Sequence, residues 1–165
     1  GGRHPFYSQP RIGKDGVVFR MWKLRSMVNG ADALLEQYLA ANPAARAEWD
    51  EKQKLGNDPR ITRFGRFIRR TSLDELPQLW NVLKGEMSLV GPRPMMVDQQ
   101  ALYPGAAYFS MRPGLTGPWQ VRARNDTSFA SRAAFDDGYH AEMGLRTDLW
   151  LLLQTTRVVA QGKGV

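Results

Sequence analysis

Pro77 interrupts a stretch of the chain that otherwise has the pattern of a helix. The apolar residues around it recur at helical spacing, and a glycine follows them: Leu76, Leu79, Trp80, Leu83 and Gly85. A proline lacks a backbone N–H and clashes with the preceding turn, so a helix tolerates it only in its first turn. We therefore predict a helix over residues 76–84 that starts at or near Pro77.

Two adjacent carboxylates, Asp74 and Glu75, directly precede this helix. Ser72 lies three residues before Glu75, which is the spacing of a capping box, and on that interpretation both acids only begin a helix. A helix N-terminus lowers the pKa of a carboxylate and also offers free N–H groups to a phosphate. Arginines flank the acids on both sides, so a cap and a functional site are both open interpretations: Arg69, Arg70 and Arg93.

The net charge predicts an anionic partner. The chain carries a formal charge of +7 and has a sequence pI near 10.0, which suits nucleic acid, acidic lipid or a polyphosphate substrate. It has no cysteine, which excludes disulfides, thiolate zinc sites and cysteine nucleophiles. The two histidines, His4 and His140, lie in no recognisable catalytic context. No apolar run approaches the ~18 residues that cross a bilayer.

The patterns predict an α+β fold that is mainly helical, with a short N-terminal β-hairpin and a small sheet, in one domain over residues 1–165. The hairpin is expected within residues 1–27, and short strands at 86–90 and 116–121. Helices are expected over residues 31–41, 44–55, 60–70, 76–84, 135–143 and 145–160. The pair at 31–55 has the composition of an exposed insertion.

Two of these helices have patterns typical of a membrane surface. In residues 60–70 an arginine recurs every third position, and bulky apolar side chains such as Phe64 and Phe67 lie between the arginines. Residues 145–160 carry an apolar face that Trp150 and Leu151 widen. A core helix with a solvated arginine face is the alternative for the first segment, and burial is the alternative for the second.

Adjacent acids between arginines suit phosphoryl chemistry. A diphosphate must be neutralised by Mg²⁺ and guanidinium groups before an anionic nucleophile can approach it. One carboxylate could hold the metal, and the other could attack phosphorus to form an acyl phosphate. Prolines on both sides of Arg93 make a rigid loop, which suits a guanidinium that holds a phosphate. The sequence contains no Walker A loop, dinucleotide fingerprint or kinase signature.

Three segments together closely resemble the bacterial sugar transferase family, the monotopic polyprenyl-phosphate phosphoglycosyl transferases. They are FYSQPRIGKDGVVFRMWKLRSM, DPRITRFGRFIRRTSLDELPQLWNVLKGEMSLVGPRP and RPGLTGPWQVRARN, in this order along the chain. The likeness is greatest to members that start exopolysaccharide assembly by loading galactose-1-phosphate or glucose-1-phosphate onto undecaprenyl phosphate.

The resemblance implies a two-step reaction. Asp74 would attack a UDP-hexose, release UMP and then pass the hexose-1-phosphate to undecaprenyl phosphate. Glu75 would hold Mg²⁺, and Arg69 would hold the lipid phosphate. Five residues are implied at the nucleotide sugar: Lys23, Arg25, Arg93, Arg112 and Asp137. The implied location is the anionic cytoplasmic face of the bacterial inner membrane, and no nucleic-acid partner is implied. The identity of the sugar stays open, and so does whether the protein forms a homodimer.

The sequence departs from the family pattern in two places. No apolar re-entrant membrane helix precedes the hairpin, and Ala123 stands where relatives usually carry glycine, which puts the local turn in doubt. Two other function classes compete with the enzyme: a basic nucleic-acid-binding module and a non-catalytic membrane scaffold. Neither of them needs Asp74 or Glu75.

Overall fold

A computed structural model describes residues 4–122 and 127–161 of the chain. Over these residues it contains four strands and seven α-helices, which confirms the predicted class of a mainly helical α+β protein. The elements are β1 Phe6–Ile12, β2 Val18–Leu24, α1 Ala31–Ala41, α2 Pro43–Lys52, α3 Arg63–Arg70, α4 Gln78–Leu83, β3 Ser88–Val90, β4 Gly114–Thr116, α5 Pro118–Arg122, α6 Arg132–Glu142 and α7 Leu145–Ala160.

The N-terminal hairpin forms as predicted. Strands β1 and β2 pair antiparallel, with Phe6 opposite Leu24 and Ile12 opposite Val18. The connecting turn contains Asp15 in the left-handed region, at φ 57°. Side chains on one face of the hairpin pack into the protein, and Ile12 is almost fully buried. The hairpin therefore holds the end of β2 firmly against the rest of the chain.

A second, two-stranded sheet pairs β3 with β4 in parallel, so that Ser88 lies opposite Gly114. The backbones meet so closely that a Cβ on Gly114 would collide with the backbone nitrogen of Gly91. The N–H of Gly114 also donates to the carbonyl of Pro92 at 2.8 Å. These contacts fix the loop that carries Arg93.

The predicted strand over residues 116–121 is wrong. Strand β4 ends at Thr116, and helix α5 begins at Pro118. A proline at the first position of a helix loses no hydrogen bond and has a suitable φ, so Pro118 favours this short helix.

Helix α4 turns its polar side inward. It begins at Gln78 with Pro77 as its N-cap, as the proline pattern predicted. Gln78 and Asn81 are buried, whereas Trp80 is 60% exposed and Leu83 is 79% exposed. The apolar face that identified the helix therefore lies on the protein surface.

Asn81 accounts for this orientation, because its side chain joins α4 to the hairpin. Its Oδ1 accepts from the backbone N–H of Trp22 at 3.1 Å. Its Nδ2 donates to the carbonyl of Arg20 at 2.8 Å and to Oε2 of Glu86 at 2.6 Å. The side chain is fully buried, so these bonds replace all of its contacts with water.

We predict that Asn81→Leu lowers the free energy of unfolding by about 2–3 kcal/mol, because it leaves buried backbone groups of β2 unpaired. Urea unfolding measures this loss. Leu83→Ala, in the same helix but exposed, should stay within about 0.5 kcal/mol of the unchanged chain. Equal stability of the two variants would show that Asn81 does not fasten α4 to the hairpin.

Helices α1 and α2 form a small core of their own. Leu35, Leu39, Ala45 and Leu55 are buried there, and Tyr38 and Trp49 pack against them. Arg60 lies with its guanidinium 5.4 Å from the centre of the Trp49 ring and pairs with Asp58 at 2.6 Å. Arg60 is thus buried, and it does not belong to the exposed arginine stripe predicted for residues 60–70.

The predicted helix over residues 145–160 forms as α7. Leu151 is buried on one side, while the opposite side exposes Leu145, Leu149 and Leu153. In the described part of the chain, none of the helices combines the length and the apolar content that crossing a membrane requires.

Candidate active site

Asp74 and Glu75 lie in a single 3-10 turn, residues Leu73–Glu75, between α3 and α4. Ser72 precedes this turn in the left-handed region, at φ 58°, and its side chain makes no capping hydrogen bond. The interpretation of Ser72 and Glu75 as a capping box, which the sequence left open, is therefore wrong. A left-handed conformation is uncommon for residues other than glycine, asparagine and aspartate and costs free energy. The turn instead directs Asp74 inward, where only 4% of it is exposed.

The surroundings of Asp74 raise the pKa of its carboxyl group. Burial is the main cause, and the neighbouring Glu75 acts in the same direction. The positive charges of Lys23, Arg69 and Arg93 lower the pKa but do not cancel these effects. The lowered pKa that a helix N-terminus predicted is thus wrong in direction, because loss of water outweighs the nearby cations.

Lys23 and Glu75 form an ion pair across the site. Lys23 extends from the end of β2, and its Nζ lies 2.8 Å from Oε1 of Glu75. Burial lowers the pKa of Lys23, with Arg93 adding to this effect and Glu75 opposing it. The pair connects the hairpin to the acidic turn and fixes the orientation of the second carboxylate.

Arg69 is placed by close packing between α3 and the segment after β2. Its Nε donates to Oγ of Ser26 at 2.8 Å. A Cβ on Gly65 would collide with the carbonyl oxygen of Ser26, so only glycine allows α3 to lie this near. The guanidinium acts electrostatically on Asp74, and burial lowers the pKa of Arg69. The last turn of α3 thus supplies a partly desolvated cation to the site.

A small cleft opens beside the acidic turn. It is lined by Arg11, Met21, Lys23, Glu75, Gln78, Arg93, Pro94, Gly114, Leu115 and Gln120. Burial lowers the pKa of Arg11 to about 10, with Arg93 contributing in the same direction. Three cationic side chains therefore meet in one partly desolvated space, which is an arrangement that favours an anionic ligand.

Trp119 packs against two guanidinium groups, that of Arg93 in the cleft and that of Arg132 outside the cleft lining. The guanidinium of Arg93 lies 5.8 Å from the centre of the Trp119 ring, and that of Arg132 lies 4.2 Å from it. Burial lowers the pKa of Arg132 to about 9, with further lowering by Arg93. Cation–π contacts hold these guanidinium groups without neutralising their charge.

The two adjacent carboxylates of the turn can be compared with the ligands that Mg²⁺ takes from proteins. Among the described residues, no group of three or more histidine or acidic side chains is placed to hold a metal ion. Mg²⁺ is usually bound by one or two carboxylates together with phosphate oxygens and water. Asp74 and Glu75 provide that number of carboxylates next to the cationic cleft.

Five of the residues predicted for the site come together: Asp74, Glu75, Arg69, Lys23 and Arg93. Arg25 does not line the cleft, since its Nε donates to the carbonyl of His4 at 3.2 Å and its guanidinium lies 5.6 Å from the Tyr7 ring. Arg112 is exposed and is also absent from the cleft lining. The doubtful turn at Ala123 lies outside the described residues.

Asp137 is exposed on α6, whereas the preceding Asp136 is buried. The hydroxyl of Tyr103 donates to Oδ2 of Asp136 at 2.7 Å. Burial raises the pKa of Asp136 to about 7, against the lowering effects of Tyr103 and Arg132. The buried acid of α6 is thus Asp136, one position before the residue predicted from the sequence, and it does not line the cleft.

Sequence reasoning missed three residues of the cleft, namely Arg11, Gln78 and Gln120. Each comes from a different element, β1, α4 and α5. A lone arginine in a strand and single glutamines in helices have no local pattern that marks a site. These three residues can be found only from contacts between segments that lie far apart in the sequence.

Comparison with known proteins shows which family this chain belongs to. Residues 1–162 match the bacterial sugar transferase family. The chain belongs to this family. This sugar transferase chain is 52% identical to a UDP-galactose-lipid carrier transferase of Erwinia amylovora, over 99% of the chain and 35% of that protein. It is 48% identical to an undecaprenyl-phosphate galactose phosphotransferase of Salmonella typhimurium, over the same shares.

The sugar transferase chain also resembles a shorter relative. It is 46% identical to the exopolysaccharide production protein ExoY of Rhizobium meliloti, over 99% of the chain and 73% of that protein. The chain spans about a third of the length of the first two relatives, at 35% of each. The family that the three sequence segments indicated is thereby confirmed.

Proposed function

We propose that this chain is the catalytic part of a phosphoglycosyl transferase, which moves a hexose-1-phosphate from UDP-hexose to undecaprenyl phosphate and so begins the assembly of an exopolysaccharide. The observation that carries the proposal is the buried Asp74 beside Glu75, next to a cleft lined by Arg11, Lys23 and Arg93. The printed names of the relatives support the same reaction class.

In the first step, a carboxylate oxygen of Asp74 attacks the phosphorus that bears the hexose. The bond from this phosphorus to the bridging oxygen breaks, and UMP leaves with that oxygen. In the second step, a phosphate oxygen of undecaprenyl phosphate attacks the same phosphorus. The acyl phosphate bond then breaks, so the carboxylate of Asp74 is regenerated and the lipid carries the hexose through a diphosphate.

The other residues stabilise the charges of this reaction. Lys23 and Arg93 bind the diphosphate of the donor, where negative charge grows as UMP leaves. Glu75 would hold Mg²⁺, which would supply charge neutralisation at the diphosphate. Arg69 binds the phosphate of the lipid acceptor. Burial raises the pKa of Asp74, so its ionised form is more basic than that of an exposed aspartate.

The test is incubation of the chain, in micelles with undecaprenyl phosphate and Mg²⁺, with a panel of radiolabelled UDP-sugars. Labelled lipid product from at least one UDP-hexose is expected, with one UMP released per product. EDTA should stop the reaction, and added Mg²⁺ should restore it. Failure to transfer from any nucleotide sugar, in membranes as well as in micelles, would overturn the proposal and favour a non-catalytic scaffold or a nucleic-acid-binding module.

A membrane surface is the second partner that we propose, in keeping with a lipid substrate. Helices α3 and α4 and the turn between them expose seven large apolar side chains: Phe64, Phe67, Leu73, Leu76, Leu79, Trp80 and Leu83. Three exposed arginines of α3, Arg63, Arg66 and Arg70, accompany them. Bulky apolar groups beside arginines suit the anionic cytoplasmic face of the inner membrane. This surface flanks Asp74 on both sides in the sequence, and α7 adds further exposed leucines.

We predict that the chain binds anionic vesicles reversibly, more strongly at low salt, and neutral vesicles hardly at all. Each arginine near the surface contributes on the order of 1 kcal/mol, which salt screens. Phe64→Ser with Phe67→Ser should weaken this binding. Val17→Ser with Val18→Ser, at the exposed start of β2, serves as the matched control. Co-sedimentation measures binding. Equal loss in both pairs, or salt-independent binding, would contradict the assignment of this surface.

A further inference from the structure

Two buried glutamines of the cleft carry side-chain polar atoms that have no hydrogen-bond partner among the described residues. Gln120 is 6% exposed and Gln78 is 2% exposed. Among the described residues, neither Nε2 nor Oε1 of Gln120 has a hydrogen-bond partner, and Nε2 of Gln78 has none either. Leaving a buried amide unpaired lowers the stability of a protein. Both side chains line the cleft beside Glu75 and Lys23.

Other buried amides of the chain differ in this respect. Gln99 is 3% exposed, and its Oε1 accepts from the backbone N–H of Met96 at 2.9 Å. Asn81 uses both of its side-chain polar atoms to join α4 to the hairpin. These amides have a structural role. The unpaired atoms of Gln78 and Gln120 instead belong to residues that line the cleft.

The size of the cleft limits which groups can reach these amides. Its enclosed volume is about 30 Å³, and a water-sized group needs roughly 10–15 Å³ measured in this way. The enclosed part therefore admits single small groups, such as a phosphoryl oxygen or a hydroxyl, and excludes a nucleobase.

Gln78 and Gln120 differ in the hydrogen bonds that their unpaired atoms can make. Arg11, Lys23, Arg93 and Nε2 of Gln78 supply donors alone, which match phosphoryl oxygens because these only accept. Gln120 presents an unpaired acceptor as well as an unpaired donor. A hydroxyl both donates and accepts, so it satisfies Gln120 where a phosphoryl oxygen cannot.

We propose that Gln120 binds a hydroxyl of the transferred hexose and that Gln78 donates a hydrogen bond to a phosphoryl oxygen of the same donor. Both glutamines are then substrate-binding residues of the first step. This inference rests on the proposed function, since it assigns groups of the UDP-hexose to the cleft. The hexose hydroxyl and the phosphate next to it are close enough in the donor to occupy neighbouring positions in one small cleft.

The test compares binding of UDP with binding of UDP-galactose and UDP-glucose, by calorimetry, in an Asp74→Asn background that prevents release of UMP. Gln120→Met should weaken binding of the UDP-hexose that the enzyme uses by about tenfold and leave binding of UDP unchanged. Gln78→Met should weaken binding of both ligands to a similar extent. Neither substitution should lower the melting temperature of the ligand-free protein, because each removes a buried amide nitrogen that has no hydrogen-bond partner among the described residues.

Gln99→Met is the matched control. It should lower the melting temperature, because it leaves the N–H of Met96 unpaired, and it should leave both affinities unchanged. Equal loss of UDP and UDP-hexose binding in Gln120→Met would overturn the assignment to a hexose hydroxyl. Unchanged binding, or a fall in melting temperature like that of Gln99→Met, would overturn the ligand role. If the chain without substitutions transfers sugar phosphate and one of these contrary results is also found, the inference about the glutamines is refuted. The proposed function then stands.

Discussion

Asp74→Asn is expected to lower the rate of transfer by at least about 1000-fold, because a neutral amide cannot form the acyl phosphate. The fold should survive. Asp74 is buried, and burial raises the pKa of its carboxyl group, which means that the charged form is disfavoured in the folded protein. An isosteric amide removes the cost of burying a charge, so the free energy of unfolding should stay within about 1 kcal/mol or rise. Release of labelled UMP and urea unfolding measure the two effects.

Glu75→Gln should cause a comparable loss of turnover for a different reason. It removes the charge that pairs with Lys23 at 2.8 Å and the carboxylate that we propose for Mg²⁺. Asp50→Asn, an exposed acid of α2, is the control and should leave turnover unchanged. Activity near that of the unchanged chain in Asp74→Asn or in Glu75→Gln would refute the catalytic assignment of these acids.

Arg69→Ala is expected to slow lipid transfer by about 30-fold or more. The variant loses a hydrogen bond between charged groups, which contributes a free energy of about 2 kcal/mol. The release of UMP in a single turnover should change much less, because we assign binding of the donor to Lys23 and Arg93. Rapid quench with labelled UDP-hexose, with undecaprenyl phosphate added afterwards, separates the two steps.

Two variants show whether Arg69 acts through its position. Arg70→Ala removes an exposed neighbouring arginine and should leave the second step unchanged. Ser26→Ala removes the acceptor that orients the Nε of Arg69 and should cause a smaller loss in the same step. If the burst of UMP disappears in Arg69→Ala while lipid transfer from the preformed intermediate is normal, Arg69 does not bind the lipid phosphate.

Local patterns predicted most of the secondary structure. The hairpin, the start of α4 at Pro77 and the helices after residue 130 follow from turn residues, proline geometry and apolar spacing. The strand over residues 116–121 was the clear error, because a short apolar segment is compatible with either state and Pro118 favours the helix. The capping box at Ser72 failed because its residue pattern does not specify the backbone conformation.

The residues that the structure brings together were predicted in part. The three matched segments named Asp74, Glu75, Arg69, Lys23 and Arg93, and the structure gathers all five. It places Arg25, Arg112 and Asp137 away from the cleft lining and adds Arg11, Gln78 and Gln120. Single residues in ordinary elements carry no motif, so their roles depend on packing between segments far apart in the chain.

The sequence by itself determined the family, the order of the elements and the pair of adjacent acids between arginines, because these depend on residue identity and on near neighbours. Only the tertiary structure decided that Asp74 is buried, that Lys23 pairs with Glu75, and that α4 turns its glutamine and asparagine inward. Burial and charge pairing depend on which distant segments meet. In this protein, bonds such as that from Asn81 to Arg20, 61 residues away, bring those segments together.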